Sequence, residues 1–211
     1  PGIFLASSLN KYLNYFGVTC GLNNVIFTNN DSAYEVAISL NKKGIDVKIV
    51  DIRKRSESEL IKETEKLGIK IYWNSTITST FGYKKINSIE IMSLSEDGSN
   101  VIGEKNKISC DCLGMSGGWT PMVHMHTQSG GKLNFRETDQ VFLPKEISDN
   151  KISVGSSNGH FELDEIVKST NNTVKKFLNV QETDLDDTNI SCSKELEKRN
   201  IWLLPNYISI G

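Results

Sequence analysis

One stretch constrains the fold more than any other. Residues 23–54 read NNVIFTNNDSAYEVAISLNKKGIDVKIVDIRK. A short apolar run at 24–28 enters a turn of Asn, Asp and Ser. Residues 31–43 then carry helical periodicity up to Gly44, and 46–51, DVKIVD, form a second run that ends in an acid. A strand, a helix and a strand joined this closely form a crossover unit, whose two strands lie parallel in one sheet.

The flanking sequence extends the pattern. Residues 2–16 place Phe4, Leu5, Leu9, Leu13 and Phe16 at helical spacing and predict a helix ending near Gly17. SESELIKETEKLG predicts a charged amphipathic helix that stops at Gly68, and IKIYWN a third strand. The rhythm then shortens, with turn signals such as EDGSN, and predicts an antiparallel meander at 76–82, 86–93 and 100–110 running into a buried CDCLGMSGG. Farther on, KLNF, VFLP and KISVG read as short strands and residues 160–180 as a helix. Residues 181–199 read as a polar, exposed connection to the apolar IWLLP. Pro1 follows no initiator methionine or signal peptide, and WLLPNYISIG supplies no closing element, so a piece of a longer polypeptide is expected.

Charge and composition narrow the function. The 24 basic and 26 acidic side chains nearly cancel, leaving a formal charge of -2. That argues against nucleic acid as a main partner, since phosphate binding needs concentrated positive charge. No apolar run is long enough to predict a membrane span. Of the four cysteines, only Cys110 and Cys112 are close in sequence. Residues two apart on a strand share a face near the upper limit of disulfide reach, so reduced thiols and a cytoplasmic setting are expected. His124, His126 and His160 have no acidic cluster beside them, so no metal site is expected. No Ser/His/Asp or Cys/His arrangement emerges, and no residue is assigned as catalytic acid, base or nucleophile.

Three segments are candidate sites. A dinucleotide-binding turn uses G-x-G-x-x-G for a tight turn, close approach of pyrophosphate, and packing of helix on strand. Here the three slots hold Thr28, Asn30 and Ala33. Ala33 suits close packing, whereas Asn30 projects a side chain where pyrophosphate would approach. Asp31 would repel phosphate, and Asp31 or Ser32 is expected to cap the helix. Asp51 lies 23 residues after Thr28, the distance expected of an acid that holds an adenosine ribose, and Arg53 follows it. A binding unit, a unit with an altered ligand, and a scaffold that has lost its ligand all remain open. In GMSGGWTP, Gly117 and Gly118 let a ligand or a neighbouring chain approach backbone, and Trp119 either stacks on a ring or covers the core. In ISVGSSNGHFELDE, Gly155 and Ser156 precede a helix whose N-terminus suits an anion or a plain cap. QSGGKL lacks the spacing of a phosphate-binding loop. Spacing alone thus gives a Rossmann-like α/β protein without a catalytic residue.

Four stretches together carry a resemblance: PGIFLASSLNKYLNYFGV, VIFTNNDSAY, CDCLGMSGGWTPMVHMHTQSGGKL and VGSSNGHFELDE. Over most of residues 1–180 the chain resembles the α subunits of heterotetrameric sarcosine oxidases. The resemblance implies an FAD/NAD(P)-binding, three-layer α/β fold with an antiparallel β-meander. Residues 1–19 would supply the leading helix of a split nucleotide-binding domain, and 20–107 an inserted Rossmann-like domain. Residues 108–180 would return to the split domain, and 181–211 would lead toward a C-terminal region. It further implies oxidative demethylation of sarcosine to glycine, with hydrogen peroxide and one-carbon transfer to tetrahydrofolate. NAD would be bound noncovalently by the subunit, with FAD and FMN in the assembled complex. The partners would be a β subunit and smaller subunits, and the substrate a small amine. Gly117, Gly118, Trp119, Gly155 and Ser156 match family segments near the cofactor.

Overall fold

Alternation along VIF and VKIVD sorts side chains onto the two faces of a parallel sheet. In the computed structural model, which describes residues 1–145, 151–178 and 204–205, that sheet runs through β1 (Ile3–Leu5), β2 (Asn23–Thr28), β3 (Asp46–Asp51), β4 (Lys70–Tyr72) and β8 (Cys112–Ser116). Helices α1 (Ala6–Phe16), α2 (Ser32–Asn41) and α3 (Glu59–Lys66) connect the first four strands. The meander β5 (Ser75–Gly82), β6 (Ile86–Leu94) and β7 (Val101–Ser109) leads back to β8. The strand order is β1-β8-β2-β3-β4.

Ile26, Val47 and Ile49 pack with Ala33, Ala37, Leu40 and Ile61 in a cluster with the helices. Val25, Phe27 and Val50 pack with Ile89, Ile91, Leu94 and Ile108 of the meander. Helices, parallel sheet and meander therefore form three layers, as the family resemblance implies. Each fully buried Ile or Leu in them contributes about 1.5–3 kcal/mol of transfer free energy. α2 is buried nearly all round because α1 and α3 flank it. α1 stops where Gly17 takes a left-handed φ of 67° and returns its N–H to Leu13 O.

The structure corrects several expectations. Residues 3–5 form a strand before the helix, pairing in parallel with β8, because Ile3 and Leu5 complete the sheet edge. β8 lies between β1 and β2, and one compact unit extends from Pro1 to Gly118. The two thiols of CDC face opposite clusters, Cys110 with the meander and Cys112 with the helices. Asp111, just before β8, is the reason: its N–H donates to Asn23 O, and its carboxylate accepts from the N–H groups of Leu22 (3.1 Å) and Asn23 (2.8 Å). Cys20, Cys110 and Cys112 are free thiols; Cys192 lies outside the described residues.

A second unit begins at Trp119. It holds a short helix α4 (His124–Gln128), a hairpin of β9 (Leu133–Arg136) and β10 (Val141–Pro144), a 3-10 turn at Gly155–Asn158, and α5 (Leu163–Phe177). KISVG forms no extended strand: Lys151 makes an isolated bridge, and the chain turns at Gly155. In QSGGKL, Gly130 takes a left-handed φ of 81°, and a Cβ at Gly131 would collide with the buried His126 ring, whose Nε2 lies 3.0 Å from Lys132 O. The connection expected at 181–199 lies outside the described residues.

Candidate functional site

Strand register brings the carboxyl ends of β2, β3 and β8 together, with Thr28 level with Asp51 on one side and Ser116 on the other. Ligands of open α/β sheets bind beyond such ends. The loops that leave them carry Asn29, Asn30, Arg53, Gly117 and Gly118.

The degenerate turn after β2 is held from within. Thr28 Oγ1 donates to Asn30 O (2.8 Å) and accepts from Asn30 N–H (3.1 Å). Asn30 Nδ2 donates to Asn29 Oδ1 (2.7 Å), while its Oδ1 accepts from Ser32 N–H (3.0 Å) and Ser32 Oγ (2.6 Å). Asn30 thus takes an N–H at the start of α2, where neither Asp31 nor Ser32 supplies the expected cap. Asn29 ties this turn to the glycine loop through Asn29 N–H to Ser116 O (3.3 Å) and Nδ2 to Gly117 O (2.9 Å).

Asp31 turns instead to Arg53, whose guanidinium lies 2.7 Å from its carboxylate. Arg53 also meets Asp51: Nη2 donates to Oδ2 (2.8 Å), Nε to Oδ1 (3.1 Å) and the backbone N–H to Oδ1 (2.8 Å). Tyr34 OH donates to Asp51 Oδ2 at 2.8 Å. Asp51 and Tyr34 are 0% exposed, and Arg53 2%. Burial works against the Arg53 charge, but hydrogen bonds and charge from Asp51 and then Asp31 raise its pKa above the ordinary value. Burial, reinforced by the Asp51 charge and hydrogen bond, pushes the Tyr34 hydroxyl far above the usual tyrosine range. Trp73 stacks on Tyr34 with ring centroids 6.4 Å apart. The expected ribose acid is therefore fully engaged by protein groups.

Gly117 is open: a Cβ built there meets nothing within 4 Å. Gly118 takes a φ of 110°, which a side chain would strain. Both belong to the first unit with Asp51, whereas Trp119, Gly155 and Ser156 belong to the second. Trp119 is 49% exposed and does not cover a core. Gly155 has a φ of 62°, and Ser156 follows it in the 3-10 turn. The helix beyond starts at Leu163 with Asp164 and Glu165 in its first turn, which disfavours an anion there. Among the described residues no cluster of three or more His, Cys, Asp or Glu could hold a metal, and no helix is long and apolar enough to cross a membrane.

Sequence reading singled out Asp51 but missed the Asp31–Arg53–Asp51–Tyr34 network. The available signal was an arginine two residues after the strand-ending acid, with a second acid in the degenerate turn. Their meeting depends on the β2–β3 register.

No family model matches the chain. It is 31% identical over 164 residues to sarcosine oxidase subunit alpha of Corynebacterium sp. (strain P-1), covering 77% of this chain and 17% of that subunit. The same subunit of Corynebacterium sp. (strain U-96) is 30% identical over 159 residues, covering 75% of the chain and 16% of the relative. That of Rhizobium meliloti (strain 1021) is 31% identical over 150 residues, with coverages of 68% and 13%. The chain thus spans less than a fifth of the length of these relatives. Among solved structures, thioredoxin reductase of T. acidophilum has a TM-score of 0.56 at 18% identity, covering 85% of this chain and 56% of the other. RclA, an HOCl-induced flavoprotein disulfide reductase of Escherichia coli, has a TM-score of 0.60 at 16% identity, with coverages of 84% and 39%. At such identities the fold alone is shared, the α/β fold of these two reductases.

Proposed function

Because this chain belongs, as a segment, to the sarcosine oxidase α-subunit family, we propose that it forms part of the nucleotide-binding region of an oxidoreductase subunit. The observation that carries this reading is the identity of about one residue in three with three α subunits over most of the chain. The reaction proposed for the whole enzyme is oxidative demethylation of sarcosine to glycine, yielding hydrogen peroxide and a one-carbon unit for tetrahydrofolate. FAD and FMN would serve the redox chemistry in a cytoplasmic heterotetramer with a β subunit and smaller subunits. This chain would contribute to a noncovalent NAD site and would be inactive by itself.

Gly117, Gly118, Trp119, Gly155 and Ser156 are the proposed nucleotide contacts. The open space above Gly117 suits close approach of a ligand to backbone. Trp119, half exposed, is available for stacking on a ring. NAD would supply hydride chemistry when bound, while these residues would bind and orient it. Asp51 is read as the descendant of a ribose-binding acid, now engaged by Arg53 and Tyr34.

Gly117→Val tests the reading cleanly, because nothing in the protein meets the added Cβ and the φ of Gly117 lies outside the left-handed region. Calorimetric titration of the protein with NAD is expected to show at least a tenfold weaker Kd, about 1.4 kcal/mol, with the melting temperature within about 2 °C of wild type. Unchanged NAD affinity in a folded variant would remove Gly117 from the site.

A further inference from the structure

We infer that Asn30, Tyr34 and Arg53 act as an internal ligand of the β2–α2–β3 unit, occupying the groups with which such a unit would hold a dinucleotide and closing it against one. The inference concerns this unit alone and does not depend on where NAD binds elsewhere.

Recognition of a dinucleotide at such a place needs two things. Free N–H groups at the helix start receive the pyrophosphate, and a free acid at the end of the second strand receives the ribose hydroxyls. Both are already matched by protein atoms of the same hydrogen-bonding sense. At the helix start, Asn30 Oδ1 accepts from Ser32 N–H as a phosphate oxygen would. At the strand end, Tyr34 OH donates to Asp51 as a ribose hydroxyl would, and Arg53 takes the remaining carboxylate positions.

The same guanidinium neutralises Asp31, whose negative charge next to the helix start would itself repel phosphate. Asn30, Asp51 and Arg53 are at most 2% exposed, so neither end meets solvent. A dinucleotide would have to evict a cation shared by two buried carboxylates and leave both without their counter-charge. Removing one member of a buried ionic set is strongly unfavourable. The arrangement also explains why the glycine slots can hold Thr28 and Asn30: no ligand needs the space that glycines would leave.

Excision and chemical replacement of the guanidinium test the idea. Arg53→Ala is expected to lower the melting temperature by about 6–20 °C. Millimolar methylguanidinium should recover most of that loss, and methylammonium, which lacks the planar fork, should not. A variant that melts like wild type, or that ammonium restores equally well, overturns the inference.

Should Arg53→Ala not fold, wild-type protein labelled with 15N-arginine gives the answer. Arg53 should show separate, slowly exchanging Nη signals that stay fixed as NAD or ADP-ribose is added. Averaged Nη signals, or a saturable shift on titration, overturn it. An NAD titration that moves the Arg53 signals defeats this inference and leaves the Gly117 reading standing. An absence of any NAD binding defeats the Gly117 reading and leaves the methylguanidinium experiment decisive here.

Discussion

Replacing Tyr34 by Phe removes one oxygen from the centre of the protein and almost nothing else. The ring, 0% exposed and stacked on Trp73, keeps its volume, so no cavity term enters. Asp51 loses the hydroxyl 2.8 Å from its Oδ2 but keeps Arg53. A hydrogen bond to a charged acceptor is worth about 1.5–3 kcal/mol, or about 3–12 °C in melting temperature for a chain of this size. The pH dependence supplies a second, signed test. Burial, then the charge and hydrogen bond of Asp51, hold the Tyr34 pKa above its unfolded value, which is about 10. Its contribution is therefore fully present below pH ~10 and is lost as pH rises further, because the unfolded state then gives up a proton that the native state retains. Wild type should lose up to about 1.4 kcal/mol per pH unit in that range from this group, a slope absent in Tyr34→Phe. Thermal melts of both proteins between pH 7 and 11.5 should thus show a gap that is constant up to about pH 9.5 and then narrows. A gap that widens above pH 10, or no gap at neutral pH, would refute the reasoning.

Other consequences can be checked independently. Asp111→Ala removes the acceptor for the Leu22 and Asn23 amides and should cost about 1–2 kcal/mol, with faster hydrogen exchange at those two positions. Gly131→Ala drives a Cβ into the His126 ring and should destabilise by about 1–3 kcal/mol, read as a lower denaturation midpoint. Burial pushes the Cys112 thiol up to about 12 and the Cys110 thiol up to about 11. An aromatic disulfide reagent at pH 8 should leave both untouched in the native protein and titrate both after unfolding. Their contribution to stability is complete below pH ~8.5 and falls as pH climbs toward the native values.

Local patterns were legible in the sequence. DVKIVD gives β3 with matching bounds, Asp46–Asp51, and the meander strands start and end within a residue of expectation. Gly17 closes α1 where the sequence places the stop, by backbone chemistry that a single glycine announces. What escaped was long-range. Ile3–Leu5 reads as helix from its periodicity, and only pairing with β8, more than a hundred residues away, makes it a strand. Cys110 and Cys112 look co-facial until Asp111 anchors the chain to β2 ahead of the strand. At the candidate site Asn30 and Asp51 stood out by position, yet an arginine two residues after Asp51 does not by itself announce that it folds inward. Its burial depends on two carboxylates from separate loops arriving at one sheet end.

The position of β8 bears on how the chain acquires its structure. Among the described residues β1 joins the sheet through β8, since the order runs β1-β8-β2. As the polypeptide emerges from a ribosome, β2, β3 and β4 can pair early with α2 and α3. Within the described residues, β1 does not meet its neighbour β8 until residues 112–116 have been made and have passed beyond the meander. Closure of the sheet is thus a late event of high contact order, a class of step that slows folding. In the interval, the edge of β2 that will receive β8 stands unpaired, and a nascent chain stalled before Cys112 presents that open edge to its neighbours.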